Sequence, residues 1–95
     1  MPKGVRQTRY VKNKNWRSII PAGYKSKSEA SKAGAPRIDL IFFPIPGYAL
    51  VFHNFPHSIM YAHQDANPGG YRTHNLENAK RSARRWLRRA LATSE

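Results

Sequence analysis

Between Asn75 and Leu91, apolar side chains recur with a period that suits a helix and no other regular structure. Leu76, Ala79, Ala83, Trp86, Leu87, Ala90 and Leu91 fall at i, i+3, i+7, i+10, i+11, i+14 and i+15. At about 3.6 residues per turn they occupy an arc of about 140°. Arg81, Arg84, Arg85, Arg88 and Arg89 fill the opposite side. Lys80 falls inside the apolar arc, where its stem can lie along a core while its ammonium reaches water. Asn75 is a good N-cap, and Glu77 puts an acid in the first turn, where the helix dipole favours one. Such a helix must dock on an apolar surface, and the rest of the chain has to provide it.

The middle of the chain does so. Residues 38–71 contain no Lys or Arg, whereas residues 1–37 hold ten and residues 72–95 hold seven. Residues 37–43 alternate: Ile38, Leu40 and Phe42 on one face, Arg37, Asp39, Ile41 and Phe43 on the other. Residues 44–47, Pro-Ile-Pro-Gly, read as a turn. Residues 48–53 form a second strand, with Tyr48, Leu50 and Phe52 opposed to Ala49, Val51 and His53. The short connection makes the two an antiparallel hairpin. Residues 58–63 read as a shorter third strand, with Ile59, Tyr61 and His63 on one side. Asp65 to Gly70 is a loop. The expected fold is therefore α+β: a small antiparallel sheet of about three strands packed on the long C-terminal amphipathic helix.

Upstream, residues 1–15 read as a flexible basic arm and residues 16–95 as a single α+β domain. Ninety-five residues suit one domain. Tyr10-Val11 and residues 16–20 can also pair as a hairpin across Lys12-Asn13-Lys14-Asn15, because Asn tolerates turn geometry. Ser26 and Glu29 fit a capping box opening a short helix over residues 28–33, which Gly34 and Pro36 stop.

Charge narrows the function. Seventeen Lys and Arg against five acids give a formal charge of +12. Such an excess usually matches a polyanion or an acidic protein. A merely solvated helix face mixes Glu with Lys at i, i+4. Here Arg81/Arg85, Arg84/Arg88 and Arg85/Arg89 are like-charge pairs, each slightly destabilising. Arg suits bidentate contact with phosphate or carboxylate. The candidate contacts to nucleic acid or an acidic partner are Arg81, Arg84, Arg85, Arg88, Arg89 and Arg72, with Lys3, Arg6, Arg9, Lys12, Lys14 and Arg17. In the N-terminal segment Tyr10, Trp16 and Tyr24 lie between the cations. Core packing is the preferred reading of Trp16.

Other classes find little support. With no cysteine, disulfides and thiolate chemistry are excluded. No apolar run approaches the ~18–20 residues of a membrane span. The N-terminus has no apolar signal region, and the expected location is cytoplasmic. His53, His57, His63 and His74 lack the spacing of a metal site, so no metal or cofactor is expected. Phosphate-loop glycine patterns are absent. The few acids, Glu29, Asp39, Asp65, Glu77 and Glu95, form no paired motif. The expectation is a small non-enzymatic nucleic-acid-binding protein. The alternatives are a protein-interaction module or phage-type inhibitor with a basic docking helix, and a ribonuclease using His63 or His74.

Two stretches resemble parts of known folds. Gly69-Gly70-Tyr71-Arg72-Thr73 before a basic, alanine-containing helix is similar to the end of a double-stranded-RNA-binding domain. Gly4-Val5-Arg6 with Trp16-Arg17-Ser18-Ile19 is similar to the start of a plant-type three-stranded-sheet DNA-binding domain. Each covers a minor part of the chain, and neither assigns it to a family.

Overall fold

The computed structural model describes residues 8–12, 17–43, 47–66 and 72–93. In chain order they form β1 (Thr8–Lys12), β2 (Arg17–Pro21), α1 (Lys27–Lys32), β3 (Arg37–Phe42), β4 (Tyr48–His53), α2 (His57–Ala66), β5 (Arg72–Thr73) and α3 (Leu76–Thr93). The fold is α+β. Its sheet has five strands in the order β1-β2-β3-β4-β5, each antiparallel to its neighbour.

The pleat sorts the sheet's side chains onto two faces. Tyr10, Ile19, Ile38 and Phe52 are successive cross-strand partners. They line the side that carries α3, where Ile19, Ile38, Leu40, Ile59, Ala79, Ala83, Trp86 and Leu87 form the main core. Ala79, Ala83 and Ala90 are all fully buried, and between them Trp86 and Leu87 supply the bulk that α3 sends into the core. Among the described residues, the opposite side is covered by α1, where Ile20 packs with Ala30 and Ala35 and against Val11 and Tyr24. Adjacent residues Ile19 and Ile20 thus serve different cores, as strand alternation requires.

The capping signals act as read. Ser26 Oγ accepts from the Glu29 amide, while the Glu29 carboxylate accepts from the Lys25 amide 2.8 Å away. Asn75 Oδ1 accepts from the amides of Glu77 and Asn78 at 2.8 and 3.3 Å. Gly47 has φ of 124°, and a Cβ there would run into the backbone of Thr73 and His74. The Pro-Ile-Pro-Gly connection ends on glycine because the backbone leading to α3 passes directly against it.

The expectation of about three strands is corrected to five. The strands read at residues 37–43 and 48–53 are present as β3 and β4. Residues 58–63 are not a strand: they lie within α2. Ile59 and His63, four apart, are its two buried residues, and Tyr61 points outward. A short segment in which Ile59 and His63 recur satisfies both periods, and Pro56 decides between them. Its carbonyl accepts from the Ile59 and Met60 amides at 3.1 Å, opening the helix. The hairpin around residues 12–17 supplies β1 and β2, and Arg72–Thr73 adds a two-residue edge strand. The basic arm is also corrected. Residues 8–12 belong to the sheet, in register from Thr8↔Pro21 to Lys12↔Arg17. Lys3, Arg6, Lys14, Trp16 and residues 67–70 of the glycine loop lie outside the described residues, while Asp65 and Ala66, read as the start of that loop, are the last two residues of α2. No helix among the described residues is long and apolar enough to cross a membrane.

Candidate nucleic-acid interface

Burial along α3 follows the sequence period. Ala79, Ser82, Ala83, Trp86, Leu87 and Ala90 face inward, while Arg81, Arg85, Arg88 and Arg89 are exposed and Arg84 is half-buried at the edge of the cationic side. Six cations share this helix with a single acid, Glu77. Among the described residues, no acid pairs with any of the five arginines. The acid on the helix is committed to Lys80, at 3.5 Å. Lys80 behaves as its place in the apolar arc implies: its Nζ sits 4.1 Å from the Tyr10 ring centroid, with the stem lying toward β1. Arg81 donates to Asn78 Oδ1 at 3.1 Å, and the Arg89 guanidinium stands 4.7 Å from the Trp86 ring. Both contacts leave donors for a partner, because a guanidinium has five.

The remaining candidates divide between the two sides of the sheet. Lys12, Arg17 and Leu40 are successive cross-strand partners, and Leu40 belongs to the core under α3. Lys12 and Arg17 therefore share the helix-bearing side, where Arg17 lies 5.9 Å from the Tyr48 ring. Arg9 pairs with Ile20 and Arg72 with Ala49, which puts both on the side that α1 covers. The sequence candidates do not make one patch. The α3 arginines, Lys12 and Arg17 lie on one side, with Arg9 and Arg72 on the other.

The α1 side holds a second charged assembly. Asp39, 4% exposed, accepts from Ser18 Oγ at 2.6 Å and from Arg37 Nη1 through both oxygens at 2.7 Å. Lys27 Nζ is 3.7 Å away, and His53 Nε2 is 2.9 Å from Oδ2 without hydrogen-bond alignment. Burial pushes the carboxyl of Asp39 upward, but the Ser18 hydrogen bond, then the Arg37 hydrogen bond and the charges of Arg37 and Lys27, outweigh it. The net result is an acid below its ordinary 3.8. Ser18 is engaged as a donor to this carboxylate. The assembly ties β2, β3, β4 and α1 together.

His63 is buried between Phe52, at 4.3 Å between ring centroids, and Trp86, at 5.2 Å. That position gives it no open approach to a substrate. His57 and His74 are exposed. Among the described residues, no three His, Cys, Asp or Glu side chains converge as metal ligands.

Sequence reasoning passed over two exposed rings at the end of β3. Phe42 is 56% exposed and Phe43 is 39% exposed, and the Arg72 guanidinium stands 5.3 Å from the Phe43 ring. The signal available was the doublet itself: apolar on both faces, at a strand end next to a proline turn. No protein-family model, curated protein or solved structure matches the chain.

Proposed function

We propose that this protein is a non-enzymatic nucleic-acid binder that holds backbone phosphates on the outward side of α3. One observation carries the reading. Five arginines lie within residues 81–89, unneutralised among the described residues, on a helix whose inner side is locked into the core by Ala79, Ala83, Leu87 and Ala90. A mere solubilising face would be mixed in sign and would relieve the like-charge pairs. Rigid display means that little backbone freedom has to be lost on binding, and each guanidinium can engage a phosphate bidentately. Lys12 and Arg17 extend the cationic side across β1 and β2. Arg9 and Arg72 contact a ligand only if it wraps past the sheet edge.

The test is the salt dependence of binding to a mixed-sequence oligonucleotide. Six to ten phosphate contacts imply a loss of affinity of roughly 10³–10⁵ between about 50 and 200 mM salt. Arg84→Gln, Arg85→Gln and Arg88→Gln together should lower the salt slope by about one per residue. A salt-insensitive interaction overturns the proposal. So does capture of one acidic protein after nuclease treatment with no oligonucleotide binding, which would instead make α3 a protein-docking helix.

A further inference from the structure

Phe42 and Phe43 are anomalous for an otherwise orderly fold. Burying a phenylalanine side chain is favourable, yet two consecutive rings stand open at the end of β3. They are not loosely held. The Phe43 amide donates to Gly47 O at 2.8 Å, and Gly47 is wedged against the backbone of Thr73 and His74. Phe42 and Tyr48 are cross-strand partners with ring centroids 5.1 Å apart. Each ring system has its own arginine: Arg17 beside Tyr48 and Arg72 beside Phe43. Among the described residues neither arginine is paired with an acid. Strand alternation sends Phe42 toward the helix-bearing side and Phe43 toward the other.

We infer that the end of β3 is a base-stacking platform: unpaired bases of a single-stranded or looped nucleic acid stack on Phe42 and Phe43, while Arg17 and Arg72 hold the flanking phosphates. The inference rests on the nucleic-acid reading of α3 and sharpens it, naming unpaired strands over duplex as the preferred class. In a duplex the base faces are already covered by their neighbours, so open rings gain nothing from it. In a single strand every base offers a π-face, and stacking on an aromatic ring is sequence-tolerant. The pairing of open rings with unneutralised guanidinium groups favours this ligand over an apolar peptide, which would leave both cations without counter-charge. It also gives Arg72, which lies away from α3, a phosphate to hold.

The experiment compares a 12-nucleotide single strand with a 12-base-pair duplex by fluorescence anisotropy at low salt. It uses the wild-type chain, the Phe42→Ala/Phe43→Ala double variant, and Phe42→Trp. The double variant should lose on the order of 10-fold or more in single-strand affinity per ring that stacks, and keep its duplex affinity. Phe42→Trp should bind the single strand at least as well as wild type and show fluorescence quenching beyond that of wild type. Both rings are exposed, so folding should survive, as circular dichroism will check. Unchanged single-strand affinity in the folded double variant overturns the platform, and so does an equal loss for strand and duplex. A protein partner lost by the double variant, with oligonucleotide binding intact, overturns it in favour of peptide docking. If wild type binds neither oligonucleotide, the reading of α3 falls, and the platform with it.

Discussion

Ser18 and Asp39, 21 residues apart in sequence, face each other across β2 and β3 and are joined by a 2.6 Å hydrogen bond from Oγ to Oδ1. This contact centres a charged node in the thinner of the protein's two cores. The node takes in Arg37 from β3, His53 from β4 and Lys27 from α1. Four elements meet at one carboxylate.

Removing that carboxylate should be costly. Asp39→Ala takes away the carboxylate that the Arg37 guanidinium contacts through both oxygens at 2.7 Å and leaves that cation uncompensated in a half-buried site. A loss of about 3–5 kcal/mol is expected. Ser18→Ala removes one bond to a charged acceptor and should lose about 1.5–3 kcal/mol. Urea denaturation measures both. Because the folded acid lies below 3.8, its contribution is present above that value and lost as pH falls through the folded value. The stability gap between wild type and Asp39→Ala should therefore narrow in acid and stay level at neutral pH.

His63 predicts a different pH window. Burial between Phe52 and Trp86 holds it below its ordinary 6.5. As pH drops below 6.5 the unfolded chain takes up the proton first, so stability falls between 6.5 and the lower folded value. Above 6.5 this residue contributes no slope. His63→Leu should remove that part of the pH dependence, read as the difference in denaturation midpoint between pH 5 and pH 7.5. An identical slope in variant and wild type counts against it.

Gly47 should tolerate no side chain. Its φ of 124° is strained for any other residue, and a Cβ would press on the Thr73 and His74 backbone. Gly47→Ala should cost more than the ~1 kcal/mol typical of a point change, and should loosen β5 and the entry to α3. Hydrogen exchange at Thr73 and Asn75 reports the loosening.

Arg85 separates function from stability. Arg85→Glu turns two repulsive i, i+4 pairs, with Arg81 and Arg89, into attractive ones. A gain of a few tenths of a kcal/mol per pair is expected, with weakened oligonucleotide binding. A variant both more stable and less able to bind is the expected result. Unchanged binding would argue that the helix face is only solvated.

The sequence was most legible where a pattern was long or a cap was chemically specific. The period of α3 named its inner and outer sides, and the burial of Ala79, Ala83, Leu87 and Ala90 follows it. Only Ser82, buried beside the arc, escaped, because a small hydroxyl carries no apolar signal. Alternation grouped Ile38, Leu40 and Phe42 on one face and Tyr48, Leu50 and Phe52 on one face, and all of these but the exposed Phe42 join the core under α3; Ser26 and Asn75 marked two helix starts. Residues 58–63 were misread because a short run in which Ile59 and His63 recur fits both periods. The two-residue β5 has too few side chains for any period at all.

What the sequence alone determined is local: periods, caps, and the sign of the charge on one helix side. These depend on neighbours a few positions apart. Only the tertiary structure decided which distant groups meet. It set Ser18 against Asp39 and put Arg17 and Arg72 on opposite sides of one sheet. It also left the rings of Phe42 and Phe43 exposed at the end of β3. Strand order and register settle such meetings, and they come from packing across the whole chain, which no short window of residues contains.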